Sequence, residues 1–338
     1  MDRLGRVTFC LICIVAGATH ASSLQVDALP CLQPVSGLTW TRWNDNQPTL
    51  DLWCRSVGRP VLEMQPPSHK PGDIVGMHIV SWNVSVGAGR LEELLPRWLE
   101  DASSAGMGLT VLVQETFRAG NEVPEGYPPT LRVPKALRPR RPTPDIRGIA
   151  ERFGLSVVYV PSMRNGPATS LAEREDRGNA ILSTEFLADV RAIELPFGKQ
   201  RRVAVSALIP ARGGEQAQSI RVVSTHFDTN DHRVAQSAAL SERITFLTDV
   251  PLFIGGDLNA RRGLHDGAVL ALAGRVPLVS CGIGRTNRWP LRLDVLIPIG
   301  RLDYMFAVTQ VTDMVRSCET LRHASGSDHL PLLLTLEY

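Results

Sequence analysis

Two stretches near the C-terminus set carboxylate, amide and imidazole groups directly beside apolar runs. Val250 to Ile254 leads into Gly255-Gly256-Asp257-Leu258-Asn259, and Ser327-Asp328-His329 stands before Leu330 to Leu334. An Asp can hold a hard divalent cation or take a proton from water, an Asn can orient an oxygen without adding charge, and a His can neutralise a developing oxyanion. These are the groups that hydrolysis of a phosphate ester requires. Asp257 and Asn259 are two apart, so in an extended segment their side chains share one side and can address one water and one phosphoryl oxygen. Turn chemistry after Gly255-Gly256 explains either residue alone, but less well the pair.

Three further residues have the same character. Glu115 follows the apolar run Leu109 to Val113, where a carboxylate is either ion-paired structure or a cation ligand. Asn83 lies just past another strand end, at a position where satisfying a turn is the ordinary role. His226 is a second imidazole at a strand end. His329 needs an orienter to stay in one tautomer or remain cationic, and a buried carboxylate does both.

Short apolar runs must carry these groups. Strands are expected at His78–Trp82, Leu109–Gln114, Leu155–Val160, Ala180–Ser183, Arg202–Ile209, Ile220–Thr225, Leu252–Gly255, Leu302–Val308 and Leu332–Glu337. Helical spacing appears in Gly89–Ser103, Pro144–Phe153 and Arg233–Thr248. Strands outnumber helices and often follow one another without one. The expected fold class is therefore α/β in the sense of an α+β sandwich: two packed mixed β-sheets flanked by helices. Residues 22–76 read differently, as a small disulfide-stapled N-terminal extension before a catalytic domain over 77–338. There Leu50-Asp51-Leu52-Trp53-Cys54 alternates like a short strand. Trp40, Trp43 and Trp53 suit the packing of a small core better than stacking on a ligand.

Composition bounds the class. The 338 residues are 43% hydrophobic with a formal net charge of +2, so a full core is available and no acidic partner follows from total charge. Arg3 and Arg6 precede an apolar run from Val7 to Ala18, and residues 1–21 read as an export signal cleaved after Ala18 or Ala21; an uncleaved anchor is the alternative. The run is too short for stable membrane insertion. The expected address is exported, periplasmic or secreted. Without that segment Cys31, Cys54, Cys281 and Cys318 remain. Neighbour pairing, Cys31 with Cys54 and Cys281 with Cys318, is preferred among the three connectivities. No zinc-type spacing accompanies them. Val133–Pro144, with Lys135, Arg138, Arg140 and Arg141 among four prolines, reads as an extended basic surface loop.

Six segments in order, Ser81-Trp82-Asn83-Val84, Val113-Gln114-Glu115-Thr116, Asp176 to Ser183, Ser224-Thr225-His226-Phe227-Asp228, Gly256 to Asn259 with Arg301 to Phe306, and Ser327-Asp328-His329, resemble the endonuclease/exonuclease/phosphatase superfamily, the deoxyribonuclease-I-like hydrolases. That resemblance implies a metal-dependent hydrolase of phosphate esters. It makes Glu115 the principal Mg2+ ligand, with Asn83 beside it and Asp328 facing the metal; Mn2+ or Ca2+ would suit the same oxygen donors. It makes Asp257 the group that deprotonates water, Asn259 and His226 phosphate contacts, and Asp303 the partner of His329. Arg177 and Asn179 become substrate contacts, and Asp176 or Glu175 the acidic partner of His226.

Substrate identity is less constrained. Arg301-Leu302-Asp303-Tyr304 looks like the abasic-site endonuclease branch, whereas an export signal does not suit intracellular repair. Arg118, the loop at Arg138 to Arg141, Lys199 to Arg202 and Arg261-Arg262 could track the backbone of DNA or RNA. A nuclease-like phosphodiesterase is the preferred expectation. A phosphatase, a sphingomyelinase-like phospholipid phosphodiesterase and a non-catalytic binding protein on the same fold are the alternatives. No protein partner is indicated.

Overall fold

The computed structural model describes residues 29–338 apart from 43–45, 67–73, 136, 138–141, 167–173, 213–217, 248, 275–277, 282–285, 291–295, 309–312 and 325. The expected signal segment, Trp43, and Arg138, Arg140 and Arg141 lie outside the described residues, as does the side chain of Cys281. Among the described residues, no helix is long and apolar enough to cross a membrane.

Two seven-stranded sheets form the body. In spatial order the first holds β1 (Leu38–Thr41), β7 (Ala188–Glu194), β8 (Val203–Ile209), β9 (Ile220–His226), β10 (Leu252–Asp257), β14 (Asp303–Val308) and β11 (Leu278–Cys281). The second holds β15 (Val315–Thr320), β16 (Leu332–Glu337), β3 (Gly76–Asn83), β4 (Met107–Ala119), β6 (Glu175–Ser183), β5 (Ser156–Arg164) and β2 (Val61–Glu63). A two-stranded ribbon joins β12 (Asn287–Pro290) to β13 (Leu296–Gly300). Both sheets are mixed: β3 runs parallel to β4 and β9 to β10, while most other pairs are antiparallel.

The period-two pattern explains the layering. Met77 and Ile79 of β3 face the central core with Leu112, Ile181, Val205, Val222, Phe253 and Met305. Their neighbours Val80 and Trp82 face outward and are covered by α2 (Leu91–Ser104) and α3 (Ile146–Phe153) through Leu91, Leu95, Trp98 and Ile149. On the far side, α4 (His232–Ile244) and α5 (Gly267–Ala273) cover the first sheet through Leu240, Ile244, Val269 and Leu272. Each such fully buried side chain contributes about 1.5–3 kcal/mol of transfer free energy. Two mixed sheets with outer helices is the architecture the strand-rich pattern predicts.

Near one end the interface between sheets turns polar. Gln114 Nε2 donates to Ser224 Oγ at 3.1 Å, and Ser224 Oγ donates to the Val113 carbonyl at 3.2 Å, tying β4 to β9. Here Gly255 lies inside β10, and a Cβ added to it would sit 2.8 Å from Ser81 Cβ and Leu112 Cδ1. Gly255 thus permits close sheet approach beneath the site, and Gly255-Gly256 is strand and not a turn.

The N-terminal segment corrects one expectation. Leu50–Cys54 is not a strand but the end of α1 (Gln47–Cys54), where Leu50, Trp53 and Cys54 recur at helical spacing and are buried. Cys54 is disulfide-bonded to Cys31. Trp53 packs with Leu131 and Met163, and Trp40 lies beneath the Arg201 guanidinium, so both tryptophans are packing residues. The segment is woven into the sandwich: β1 pairs with β7 and β2 with β5, giving each sheet an outermost strand.

Candidate active site

The ends of β3, β9 and β10 and the start of β14 meet at one end of the sandwich. Strand register sets the first row: Asp257 is the partner of His226 across the parallel β9–β10 pair and of Asp303 across the antiparallel β10–β14 pair. From the opposing sheet, Asn83 Nδ2 donates to Asp257 Oδ2 at 3.0 Å. β10 stops at Asp257, so the extended geometry expected for Asp257 and Asn259 does not continue. Asn259 instead takes φ +50° and its backbone N–H donates to Asp257 Oδ1 at 2.8 Å. The turn and the functional pair are one feature.

Glu115 lies within β4, not at its end. It occupies a bulge where pairing with β6 slips between Val113 and Thr116, and it adopts φ +50°. A non-glycine residue there costs roughly 1–2 kcal/mol, and the bulge re-aims its carboxylate into the cleft. Its Oε1 is 3.8 Å from His226 Nδ1.

His329 is held from three directions. Its backbone N–H donates to Ser327 Oγ at 3.0 Å, its carbonyl accepts Trp82 Nε1–H at 3.0 Å, and Nδ1 lies 2.8 and 3.0 Å from the Asp303 oxygens. Burial opposes a charge on this ring, but Asp303 and Asp257 outweigh it and raise its pKa to about 10. His226 has the opposite setting. Burial, Arg202, His329 and Arg177 push its ionisation well below 6.5, so that ring is neutral. Asp257 stands between them, with Oδ2 at 3.4 Å from His226 Nε2 and 3.8 Å from His329 Nε2. Burial raises its carboxyl to about 7 against the pull of His329, with Asp303 and Glu115 adding to the rise.

A cavity of about 750 Å³ opens over these groups, lined by Glu115, Arg177, His226, Asp257, Asn259, Asp328 and His329 together with Lys199, Arg202, Arg261 and Asn287. Asn83 and Asp303 support it from beneath. Asn179, by contrast, is withdrawn from the site: it is buried and its amide donates to the Val203 carbonyl at 2.7 Å, bridging the sheets. Arg177 does reach the cavity, with a buried Nη1 that has no partner among the described residues. Asp176 and Glu175 are not partners of His226; Asp176 binds Arg118 and Tyr159, and Glu175 binds Asn165. Arg118 and Arg201 are buried in ion pairs with Asp176 and Glu194, and so cannot track a backbone.

Sequence reasoning missed Asn287, and it placed Arg202 among backbone-tracking cations and Asp228 in a motif without giving either a contact in the site. Arg202 Nη1 contacts His226 Nδ1 at 3.0 Å and its Nε pairs with Asp228 at 3.2 Å. Asn287 Nδ2 lies 3.5 Å from His329 Nε2. The run Lys199 to Arg202 carried a signal for Arg202; nothing in the sequence marked Asn287.

The donor set fits a hard cation. Glu115 aims a carboxylate into the cavity that accepts no hydrogen bond among the described residues, and Asp328 lines the same cavity; Asn83 lies outside the lining, its Oδ1 accepting the Ser85 N–H at 3.0 Å. Among the described residues, ligand atoms of Asp257, Asp303 and His329 lie within 4.8 Å of one another. Two of these residues, Asp303 and His329, are already bonded to each other.

Comparisons with known proteins agree with this geometry. No curated protein matches the sequence. Among solved structures, an endonuclease/exonuclease/phosphatase from Beutenbergia cavernae superposes with a TM-score of 0.54 at 16% identity, over 78% of this chain and 71% of that one. The catalytic domain of human Nocturnin, with bound sulfate, gives 0.50 at 19% identity over 81% and 96%. An AP endonuclease from Archaeoglobus fulgidus gives 0.50 at 18% identity over 78% and 100%. These share the fold. The family model described as Endonuclease/Exonuclease/phosphatase matches residues 80–329, from within β3 to the paired histidine, and the chain belongs to that family of hydrolases acting on phosphate ester bonds.

Proposed function

We propose that this chain hydrolyses phosphodiesters by direct attack of a water that gives its proton to Asp257. One carboxylate between a neutral and a cationic imidazole carries this reading: Asp257 is 3.4 Å from His226 Nε2 and 3.8 Å from His329 Nε2. The water oxygen bonds to phosphorus, its proton passes to Asp257, and the ester P–O bond opposite breaks. Asn259 and Asn83 hold the Asp257 carboxylate in one orientation. The His329 cation, fixed by Asp303, and the His226 N–H face the charge that grows on the phosphoryl oxygens. Arg177 offers its unpartnered N–H to the same oxygens. A divalent cation, Mg2+ with Mn2+ or Ca2+ as alternatives, would be held by Glu115 with Asn83 and Asp328 and would supply Lewis-acid polarisation.

The cations at the cavity wall, Arg177, Lys199, Arg202 and Arg261, favour a polyanionic substrate such as DNA or RNA. The Cys31–Cys54 disulfide supports maturation in an oxidising compartment, periplasmic or secreted, after loss of residues 1–21. Residues 22–76 would then be the extension and 77–338 the catalytic domain. Incubating the purified protein with plasmid DNA, RNA, bis-p-nitrophenyl phosphate, a phosphomonoester and sphingomyelin, each with Mg2+ or chelator, tests the proposal. Metal-dependent cleavage of the nucleic acids and the synthetic diester is expected. Hydrolysis of the monoester alone, or hydrolysis indifferent to chelator, overturns it, whereas hydrolysis of sphingomyelin alone, itself a diester, overturns the preference for nucleic acid.

A further inference from the structure

We infer that Arg202 is a positioning residue that locks His226 as the Nε2–H tautomer, making it a fixed hydrogen-bond donor to the reacting phosphate. Arg202 Nη1 is 3.0 Å from His226 Nδ1. A guanidinium has five N–H donors and no acceptor, so a hydrogen bond between them requires a bare Nδ1. The single ring proton then sits on Nε2, 3.4 Å from Asp257 Oδ2 and facing the cavity. Asn259 Nδ2, 3.3 Å from Nε2, already donates to the Phe227 carbonyl at 2.9 Å.

Arg202 has its own anchor. Its Nε donates to Asp228 Oδ1 at 3.2 Å, and Asp228 Oδ2 accepts the Lys199 N–H at 2.8 Å and Gln236 Nε2 at 3.3 Å. The Asp228 N–H returns to Gln236 Oε1 at 2.8 Å. Arg202, His226, Asp228 and Gln236 are all buried. The chain from Gln236 on α4 to Asp228, Arg202 and His226 therefore sets the ring proton from behind. This is the reverse of the arrangement at His329, where a carboxylate receives the Nδ1 proton. With Nδ1 closed by a cation, His226 cannot serve as a proton-relaying base; it gives one directed N–H.

The catalytic consequence rests on the proposed hydrolysis, whereas the tautomer does not, and the experiment separates them. Long-range proton–nitrogen spectra of the full chain, with His226 assigned through His226→Gln, should show a protonated Nε2 and a bare Nδ1. A proton on Nδ1 overturns the inference, whether or not any substrate is cleaved. Arg202→Met should then mix the tautomers and lower kcat on bis-p-nitrophenyl phosphate ~10-fold or more, with KM moving less. Added guanidinium should restore part of that loss, and Arg202→Lys should retain more activity than Arg202→Met. Full kcat in Arg202→Met alongside mixed tautomers overturns the catalytic consequence. Should Arg202→Met fail to fold, the spectrum of the unaltered chain and Arg202→Lys still decide.

Discussion

Around Asp176, the carboxylate and the groups bonded to it are fully partnered. Its oxygens accept Arg118 Nε at 3.2 Å, Arg118 Nη2 at 2.5 Å, the Tyr159 hydroxyl at 2.8 Å and the Gly58 N–H at 2.9 Å. Arg118 Nη1 goes to the Arg59 carbonyl at 2.7 Å. Around Asp257, an equally buried carboxylate, the neighbours are left with capacity to spare: Arg177 Nη1 has no partner among the described residues, and Glu115 aims at open space. Both clusters join an Asp to cations inside a β-sandwich. The first is closed and binds strands together; the second is open and is ready for a ligand. Between these two clusters the difference lies in the completeness of hydrogen bonding and not in the presence of buried charge.

That contrast can be broken by substitution. The largest effect is expected from Asp176→Asn, which leaves the Arg118 cation buried without its charge partner and should cost about 3–5 kcal/mol in urea unfolding. Activity per folded molecule should be unchanged. Asp257→Asn should do the reverse: kcat falls ~10²–10³-fold, about 3–4 kcal/mol of transition-state stabilisation, while the melting temperature holds or rises. An Asp257→Asn protein that keeps its kcat but loses stability would erase the distinction.

The pH dependence sharpens it further. The His329 ionisation is raised from 6.5 to about 10, so its charge stabilises the folded state fully below pH 6.5 and progressively less as pH climbs to about 10. The difference in melting temperature between the parent chain and His329→Gln should therefore narrow across that interval. A constant difference would mean that the ring is not held as a cation. The smallest effect concerns the bulge at Glu115, whose φ is +50°. Glu115→Gly and Glu115→Ala should both abolish catalysis, but the glycine variant should be about 1 kcal/mol the more stable, as measured by chemical denaturation.

The catalytic end of the fold was readable because its residues interrupt apolar runs with groups that have no business in a core. Asp257, His226 and Asn83 stand within a residue or two of an expected strand end and His329 three before one, and register does the rest. Glu115 was found for an incomplete reason: β4 continues to Ala119, and a bulge, which has no period of its own, turns the carboxylate inward. Charge in a sequence carries no sign of burial: Arg118 and Arg201 are neutralised inside by Asp176 and Glu194, and Arg202, although it lines the cavity, is paired with Asp228. Leu50–Cys54 fits both alternation and helical spacing, and only the packing of Trp53 and the Cys31 bond settles it. Short strands such as Leu38–Thr41 and Val61–Glu63 are fixed by distant partners, which local pattern does not encode.

That last feature bears on how the protein is made. Leu38 meets Val190 and Val61 meets Tyr159, so this stretch leaves the ribosome well before the strands that complete its hydrogen bonding. Until β1 and β2 dock, the flanks of β7 and β5 stay bare, and they are the places where one half-folded copy would adhere to another. A reducing cytoplasm that blocks the Cys31–Cys54 link, or an expression tag that hampers this stretch, would thus be felt as clumping during synthesis while leaving the distant catalytic groups chemically intact.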